Sequence, residues 1–392
     1  MSNAFETKQE TNEGVRLHDG AVSDQGLPIA GGSRKPATYE VICGDAREAV
    51  LTLPEVHGIV TSPPYFGKRT YGQSEAEVGQ EAEVDPYVDA LVEVLSSIPL
   101  HPRASVWVNI GDKRGDRGAL LDIPHRFTKA MCQAGYLLAD HVIWAKAVVL
   151  QDGTTVGGLM PEPAPGRLNG NGFEELFRFV RTRKVSDAWT DTCAVAIPRS
   201  NVEDIRYLPE ELMTCHTSVE GRRPPNVWQI PMGQTTKDHF GVFPASLVER
   251  CIAMTCPAWV NDDASLPERI VDMVPYVEGR GTDRYLGKRS LVAADDEGER
   301  REMCGRNDTG HAYVPHKPVT LGWTDCDPRG QPGIVLDPFV GTGTTGEAAL
   351  KLGRSFIGID LYDNYCQIAC RRCEETMGFL GEHDLDPLAL LR

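Results

Sequence analysis

Hydrophobic positions recur with two periods along this chain, and the switching between them predicts its architecture. Tyr39-Glu40-Val41-Ile42 alternates as a strand, and residues 46–53 read as a short helix. The apolar run His57-Gly58-Ile59-Val60 then reads as the end of a short buried strand. Strand, helix, strand in that order is the signature of a parallel α/β sheet. Residues 85–98 predict an amphipathic helix with apolar Tyr87, Leu91, Val92 and Leu95. A strand at 104–110 follows, then a helix over 124–135 with Gly135 as its stop signal, then a strand at 136–144. Residues 147–160 break into glycine-rich loop, 174–180 resume a strand, 185–235 are irregular, and 243–254 form a helix.

The last legible segment is the densest. Residues 333–339 predict a strand, Val340-Gly341-Thr342-Gly343-Thr344-Thr345 a glycine-rich turn, 346–352 a helix, and 355–360 a strand ending in Asp360. This βαβ unit opens a place for a nucleoside-containing ligand at the carboxyl ends of its strands. The glycines let backbone approach a ligand, and the helix start offers unpaired N–H groups to a carboxylate or phosphate. With Gly346 as the third glycine, spacing alone also admits a dinucleotide.

Composition narrows the class. The 392 residues suffice for two domains or one decorated domain. No apolar run approaches a membrane span, and the N-terminus lacks a basic-then-apolar signal pattern. Eleven scattered cysteines do not resemble a secreted disulfide scaffold and indicate a reducing cytoplasm. A formal charge of −16 argues against a nonspecific nucleic-acid binder, although one local basic groove remains compatible with it.

The stretch that organises the chemistry is Thr61-Ser62-Pro63-Pro64-Tyr65, at the end of the second strand. Two prolines stiffen the corner and remove two backbone donors. A hydroxyl before it and an aromatic ring after it make a small polar pocket with a stacking wall. A proline turn with a buried Tyr reads the same five residues equally well. Taken together with Asp337-Pro338-Phe339-Val340-Gly341-Thr342-Gly343, the corner resembles the amino-group DNA methyltransferases that use S-adenosylmethionine. The corner precedes the glycine turn, which is the permuted order of the β group of that family. The resemblance spans residues 39–256 and 332–378 and includes Trp107-Val108-Asn109-Ile110-Gly111-Asp112, Val142-Ile143-Trp144-Ala145-Lys146 and the segments 222–231 and 239–250.

That resemblance implies a Rossmann-like methyltransferase sheet in permuted order, with irregular insertions for DNA recognition. It implies double-stranded DNA as partner, a homodimer as one admissible state, no membrane, and a bacterial or phage-encoded cytoplasmic enzyme. Ser62 Oγ and the Pro63 carbonyl would accept the hydrogens of an amino nitrogen, with Pro64 shaping the corner and Tyr65 stacking on the extruded base. Phe339, Pro338, Gly341, Thr342, Gly343 and Thr344 would border S-adenosylmethionine. Asp360 would meet its ribose, Asp45 its adenine and Asp337 its methionine amino group. Ser before Pro-Pro-Tyr accompanies cytosine-N4 methylation in that family and Asp accompanies adenine-N6, so cytosine N4 is favoured. Adenine N6, and a non-catalytic DNA-binding relative, are the alternatives.

The organisation expected is an arm over 1–37, a catalytic half over 38–146, a target-recognition region over 147–235, and a return to the methyltransferase domain over 236–256. An unassigned insertion over 257–331 and a cofactor half over 332–392 complete it. Arg181, Arg183, Lys184, Arg222 and Arg223 are the DNA-binding candidates, and Arg280, Arg284, Lys288 and Arg289 lie in the insertion. Cys366, Cys370 and Cys373 match the spacing of radical S-adenosylmethionine enzymes, but their surroundings predict a helix over 364–377. Cys304, His311, His316 and Cys326 have zinc-type ligands without zinc spacing, and no metal site is expected.

Overall fold

The computed structural model of the chain describes residues 35–67, 77–149, 155–157, 172–195, 225–232, 243–275, 291–294, 300–303, 316–324 and 329–383. In chain order these give β1 (Tyr39–Cys43), α1 (Ala46–Ala49), β2 (Val56–Thr61), α2 (Val84–Ser97), β3 (Leu100–Ile110), α3 (Ile123–Gln133) and β4 (Leu137–Val149). Next come β5 (Thr155–Gly157), β6 (Phe173–Val180), β7 (Val227–Pro231), α4 (Ala245–Thr255), β8 (Arg269–Pro275), β9 (Leu291–Ala294) and β10 (Arg300–Met303). The chain ends with β11 (His316–Trp323), β12 (Ile334–Asp337), α5 (Thr344–Lys351), β13 (Ser355–Asp360) and α6 (Asp363–His383).

One sheet runs in the order β1-β13-β12-β2-β3-β6-β4-β5, with β7 added to β4. The first five of these strands are mutually parallel, and β6 runs antiparallel to both its neighbours. Adjacent residues on each strand serve opposite faces, as the two-residue period requires. Val60, Trp107, Val335 and Phe356 pack with α4, α5 and α6, while Ile59, Val106, Val108, Leu336 and Ile357 pack with α2 and α3. Covering both faces explains why these strands read as nearly continuous apolar runs.

Local chemistry sets the boundaries. Asp45 caps α1 by accepting from the Arg47 amide at 2.9 Å. Gly135, at φ +92°, ends α3 as expected, with the Tyr136 amide reaching back to the Met131 carbonyl at 3.1 Å. The predicted helix over 46–53 instead divides into α1 and a 3₁₀ turn at Val50–Thr52.

Larger differences lie beyond residue 146. β4 continues to Val149 and pairs with β5, in place of the expected glycine-rich loop. β6 and β7 belong to the central sheet, so the expected recognition region over 147–235 contains sheet strands. The insertion over 257–331 contains two antiparallel pairs, β8 with β11 and β9 with β10. Most of the expected N-terminal arm lies outside the described residues.

Candidate active site

β12 lies between β13 and β2, and the chain leaves this point in opposite directions. The β12–α5–β13 unit steps toward one edge and β2–α2–β3 toward the other, which opens a crevice at the carboxyl ends of β12 and β2. Thr61 and Asp337 end these two strands. The Thr61 hydroxyl donates to Asp337 Oδ1 at 2.6 Å, and the Thr345 hydroxyl donates to Asp337 Oδ2 at 2.6 Å. The Phe339 amide gives the carboxylate its third bond, donating to Oδ1 at 3.1 Å. One buried carboxylate therefore ties the proline corner to the strand and helix that flank the glycine turn.

Behind the proline corner lies a buried polar network. The Tyr65 hydroxyl donates to Glu174 Oε2 at 2.6 Å, while Asn109 Nδ2 donates to the Tyr65 oxygen at 3.0 Å and to Glu174 Oε2 at 2.8 Å. Lys146 Nζ closes the far side, 2.9 Å from Glu174 Oε1. Burial alone would raise the Glu174 carboxyl, but Lys146, Tyr65 and Asn109 together hold it below the usual range. Burial, with Glu174 beside it, pushes the Tyr65 phenol well up, so it stays protonated. The Tyr87 hydroxyl from α2 donates to the Pro64 carbonyl at 2.8 Å, and the Gly67 amide donates to the Gly79 carbonyl at 2.7 Å. Ser62 and the Tyr65 ring remain half-buried at the crevice.

Across the crevice, Gly341 and Gly343 adopt φ of +51° and +83°. A Cβ on Gly343 would sit 2.8 Å from the Ala369 Cα of α6, so this glycine is needed for packing as well as for its backbone angle. Gly346 serves packing alone, since a Cβ there would meet Cys373 and Phe356 at 2.7 Å. At Gly341 the nearest atom to an added Cβ is the Phe339 carbonyl at 4.0 Å, which leaves open space beside the turn. The Gly341 amide donates to Asp360 Oδ2 at 2.9 Å, and the Tyr362 amide donates to Oδ1 at 3.0 Å.

The model of the DNA methylase family matches residues 56–263 and 330–371, most of the chain and both halves of this crevice. The chain belongs to the N6/N4 DNA methylase family. It is 22% identical to the Type II methyltransferase M.SfiI of Streptomyces fimbriatus, over 83% of this chain and 89% of that one. It is 27% identical to M.Cfr9I of Citrobacter freundii, over 62% and 81%. Among solved structures it is similar to the PvuII DNA methyltransferase (cytosine-N4-specific), with a TM-score of 0.47, 17% identity, and coverage of 90% of this chain and 93% of that one.

Methylases of this family take their methyl group from S-adenosylmethionine. The residues around the glycine turn fit that group. Open space lies beside Gly341, Phe339 is half-buried next to it, and Asp360 offers a carboxylate at the adjoining strand end. Asp45 follows β1, whose Cys43 is in register with Asp360, though its carboxylate is shared with Arg47 at 2.7 Å.

Some expected assignments are corrected. Asp337 is 1% exposed and both its oxygens accept from the chain itself, so what the fold shows of it is a strut between the proline corner and α5. Thr344 is buried and its hydroxyl accepts from Arg372 at 3.0 Å. Arg181, Arg183 and Lys184 follow β6 at the wrong edge. Ile110 and Glu175 pair at the crevice end of the β3–β6 ladder, and Ser105 and Val180 pair about 17 Å away by the rise of a strand. There Arg181 donates to the Ser96 carbonyl at 2.8 Å and stacks 4.6 Å from the Tyr136 ring centre. Arg222, Arg223, Arg280, Arg284, Lys288 and Arg289 lie outside the described residues, as do Cys304, His311 and Cys326; of the His316 side chain nothing is described. Cys366, Cys370 and Cys373 all lie on α6 and are buried in the core beside α5, as the helical reading expects.

No sequence pattern singles out Asn109, Lys146 and Glu174 as site residues. Asn109 and Lys146 do fall in segments that carry the family resemblance. Glu174 sits 109 positions from Tyr65, at the start of a strand whose place in the sheet no local pattern shows.

Proposed function

We propose that this methylase transfers a methyl group from S-adenosylmethionine to the N4 amino group of a cytosine extruded from double-stranded DNA. The observation that carries the reading is the Thr61–Asp337–Thr345 clamp, which fixes the proline corner beside the glycine turn. An aromatic amine is a poor nucleophile because its lone pair is delocalised into the ring. Ser62 Oγ and the Pro63 carbonyl accept its two hydrogens, favouring a pyramidal nitrogen whose lone pair is free to react. The half-buried Tyr65 ring stacks on the base, an interaction worth about 1–3 kcal/mol. Phe339, Gly341, Thr342, Gly343 and Asp360 hold the cofactor, whose sulfonium supplies an electrophilic methyl and a good leaving group. With those partners supplied, positioning does most of the catalytic work.

The choice of cytosine rests on Ser62, through the family resemblance of Ser-Pro-Pro-Tyr. Arg222 and Arg223 remain proposed DNA contacts, and the enzyme acts in the cytoplasm where its DNA is found. The test is expression in a modification-free bacterial host, followed by mass spectrometry of the digested DNA and sequencing of methylated sites. N4-methylcytosine at one short sequence is expected. N6-methyladenine would overturn the base assignment, and unmodified DNA would overturn the reading as an active enzyme.

A further inference from the structure

The network behind Tyr65 has a definite hydrogen-bond polarity. Glu174 accepts from Lys146, Asn109 and Tyr65, so it is ionised and offers only acceptors on that side. The single hydroxyl hydrogen of Tyr65 is therefore committed to Glu174, at 2.6 Å. Any hydroxyl bonded to the Tyr65 oxygen must then be the donor. Ser62 is the hydroxyl placed to donate: one Asn109 Nδ2 reaches both oxygens, at 3.5 Å to Ser62 Oγ and 3.0 Å to the Tyr65 oxygen, which sets the Ser62 side chain beside the Tyr65 hydroxyl. Once its own hydrogen points inward to Tyr65, Ser62 Oγ can offer the crevice only a lone pair, never a donor.

We propose that Glu174, kept ionised by Lys146, acts through Tyr65 to lock the Ser62 hydroxyl in the accepting orientation toward the substrate amino group. Glu174 and Lys146 are thus positioning residues, and Tyr65 has a second task beside stacking. A free serine hydroxyl could turn its hydrogen toward an amine and be useless as an acceptor; the buried carboxylate removes that option before DNA arrives. Asn109 supports the same polarity, since its Nδ2 is a donor to Glu174, to Tyr65 and, at 3.5 Å, to one lone pair of Ser62 Oγ, so no acceptor on that side competes for the Tyr65 hydrogen. The orientation of its amide follows from Glu174, because only the NH₂ end can face a carboxylate.

The inference rests on the proposed amino-group methylation, and its test keeps the two separable. Labelled methyl transfer to unmethylated genomic DNA is measured for the native enzyme, Tyr65→Phe and Glu174→Gln, with S-adenosylmethionine affinity measured by calorimetry. Tyr65→Phe keeps the stacking ring and removes only the relay oxygen. Glu174→Gln keeps the shape but can donate to Tyr65 and so reverse the polarity. Both should lower kcat by about tenfold or more, equivalent to about 1.4 kcal/mol of barrier, with DNA KM and cofactor Kd within about twofold of native. Native kcat in either variant, or a raised KM at unchanged kcat, would overturn the inference. Should Glu174→Gln fail to fold, Tyr65→Phe alone decides. No transfer by the native enzyme would instead overturn the proposed function itself.

Discussion

Ser62 faces the substrate in the proposed reaction, and Asp337 holds the corner that presents it. Replacing Ser62 by Ala removes an acceptor used as charge develops on the amine. Turnover should fall by about 10²–10³-fold, with S-adenosylmethionine affinity nearly intact by calorimetry. Asp337 is a stability question. Burial raises its carboxyl to about 6, against the pull of Thr345, Thr61 and the Phe339 amide. The folded chain therefore holds this proton more tightly than the unfolded one. The resulting stabilisation is complete below about pH 4 and is lost as pH rises through the folded value. Asp360, also raised by burial to about 6, has the same sign. Urea unfolding at about pH 4 and pH 7.5 should show the native protein losing roughly 2–3 kcal/mol more than Asp337→Asn across that window. Equal losses would show that Asp337 does not titrate in the folded state as its burial requires.

At the scale of elements, the site depends on α5 meeting α6 closely. Gly343 begins α5 at positive φ with α6 backbone within 2.8 Å of its missing Cβ. Gly343→Ala must therefore strain the turn and push the helices apart, costing on the order of 1–3 kcal/mol in thermal or urea unfolding, with weaker cofactor binding. The βαβ unit around this turn is legible in sequence because its determinants are local: an apolar strand, glycines at the turn, a helix and an acidic strand end. The extension of β4, the pairing of β5, and the places of β6 and β7 are not. Their partners lie far along the chain, and a strand's periodicity does not name its neighbour.

For the whole molecule, strand direction decides which charges can meet DNA. β6 runs opposite to β3, so its C-terminal basic cluster emerges at the edge away from Ser62. The loop after β3 emerges at the crevice edge and carries Lys113, bonded to the Gly67 carbonyl at 2.7 Å, and the exposed Arg117. Replacing Arg181, Arg183 and Lys184 together by Ala should leave DNA affinity and its salt dependence unchanged. Replacing Lys113 and Arg117 should weaken binding, and should reduce the slope of log affinity against log salt by about 0.9 for each phosphate left without its cation. Fluorescence anisotropy over a salt series distinguishes the two; the reverse pattern would place the DNA on the other edge.

By itself the sequence determined the parallel half of the sheet, the permuted order of the two motifs, the proline corner, the glycine turn and the residue types of the site. These follow from periodicities and turn chemistry that operate within a few residues. Only the tertiary structure decided that Asp337 is a strut, that Arg181 to Lys184 face away, and that Glu174 and Lys146 stand behind Tyr65. Each of these depends on strand order and direction, which bring together side chains separated by tens to hundreds of positions. A carboxylate's role depends on which donors surround it, and those donors are set by the sheet.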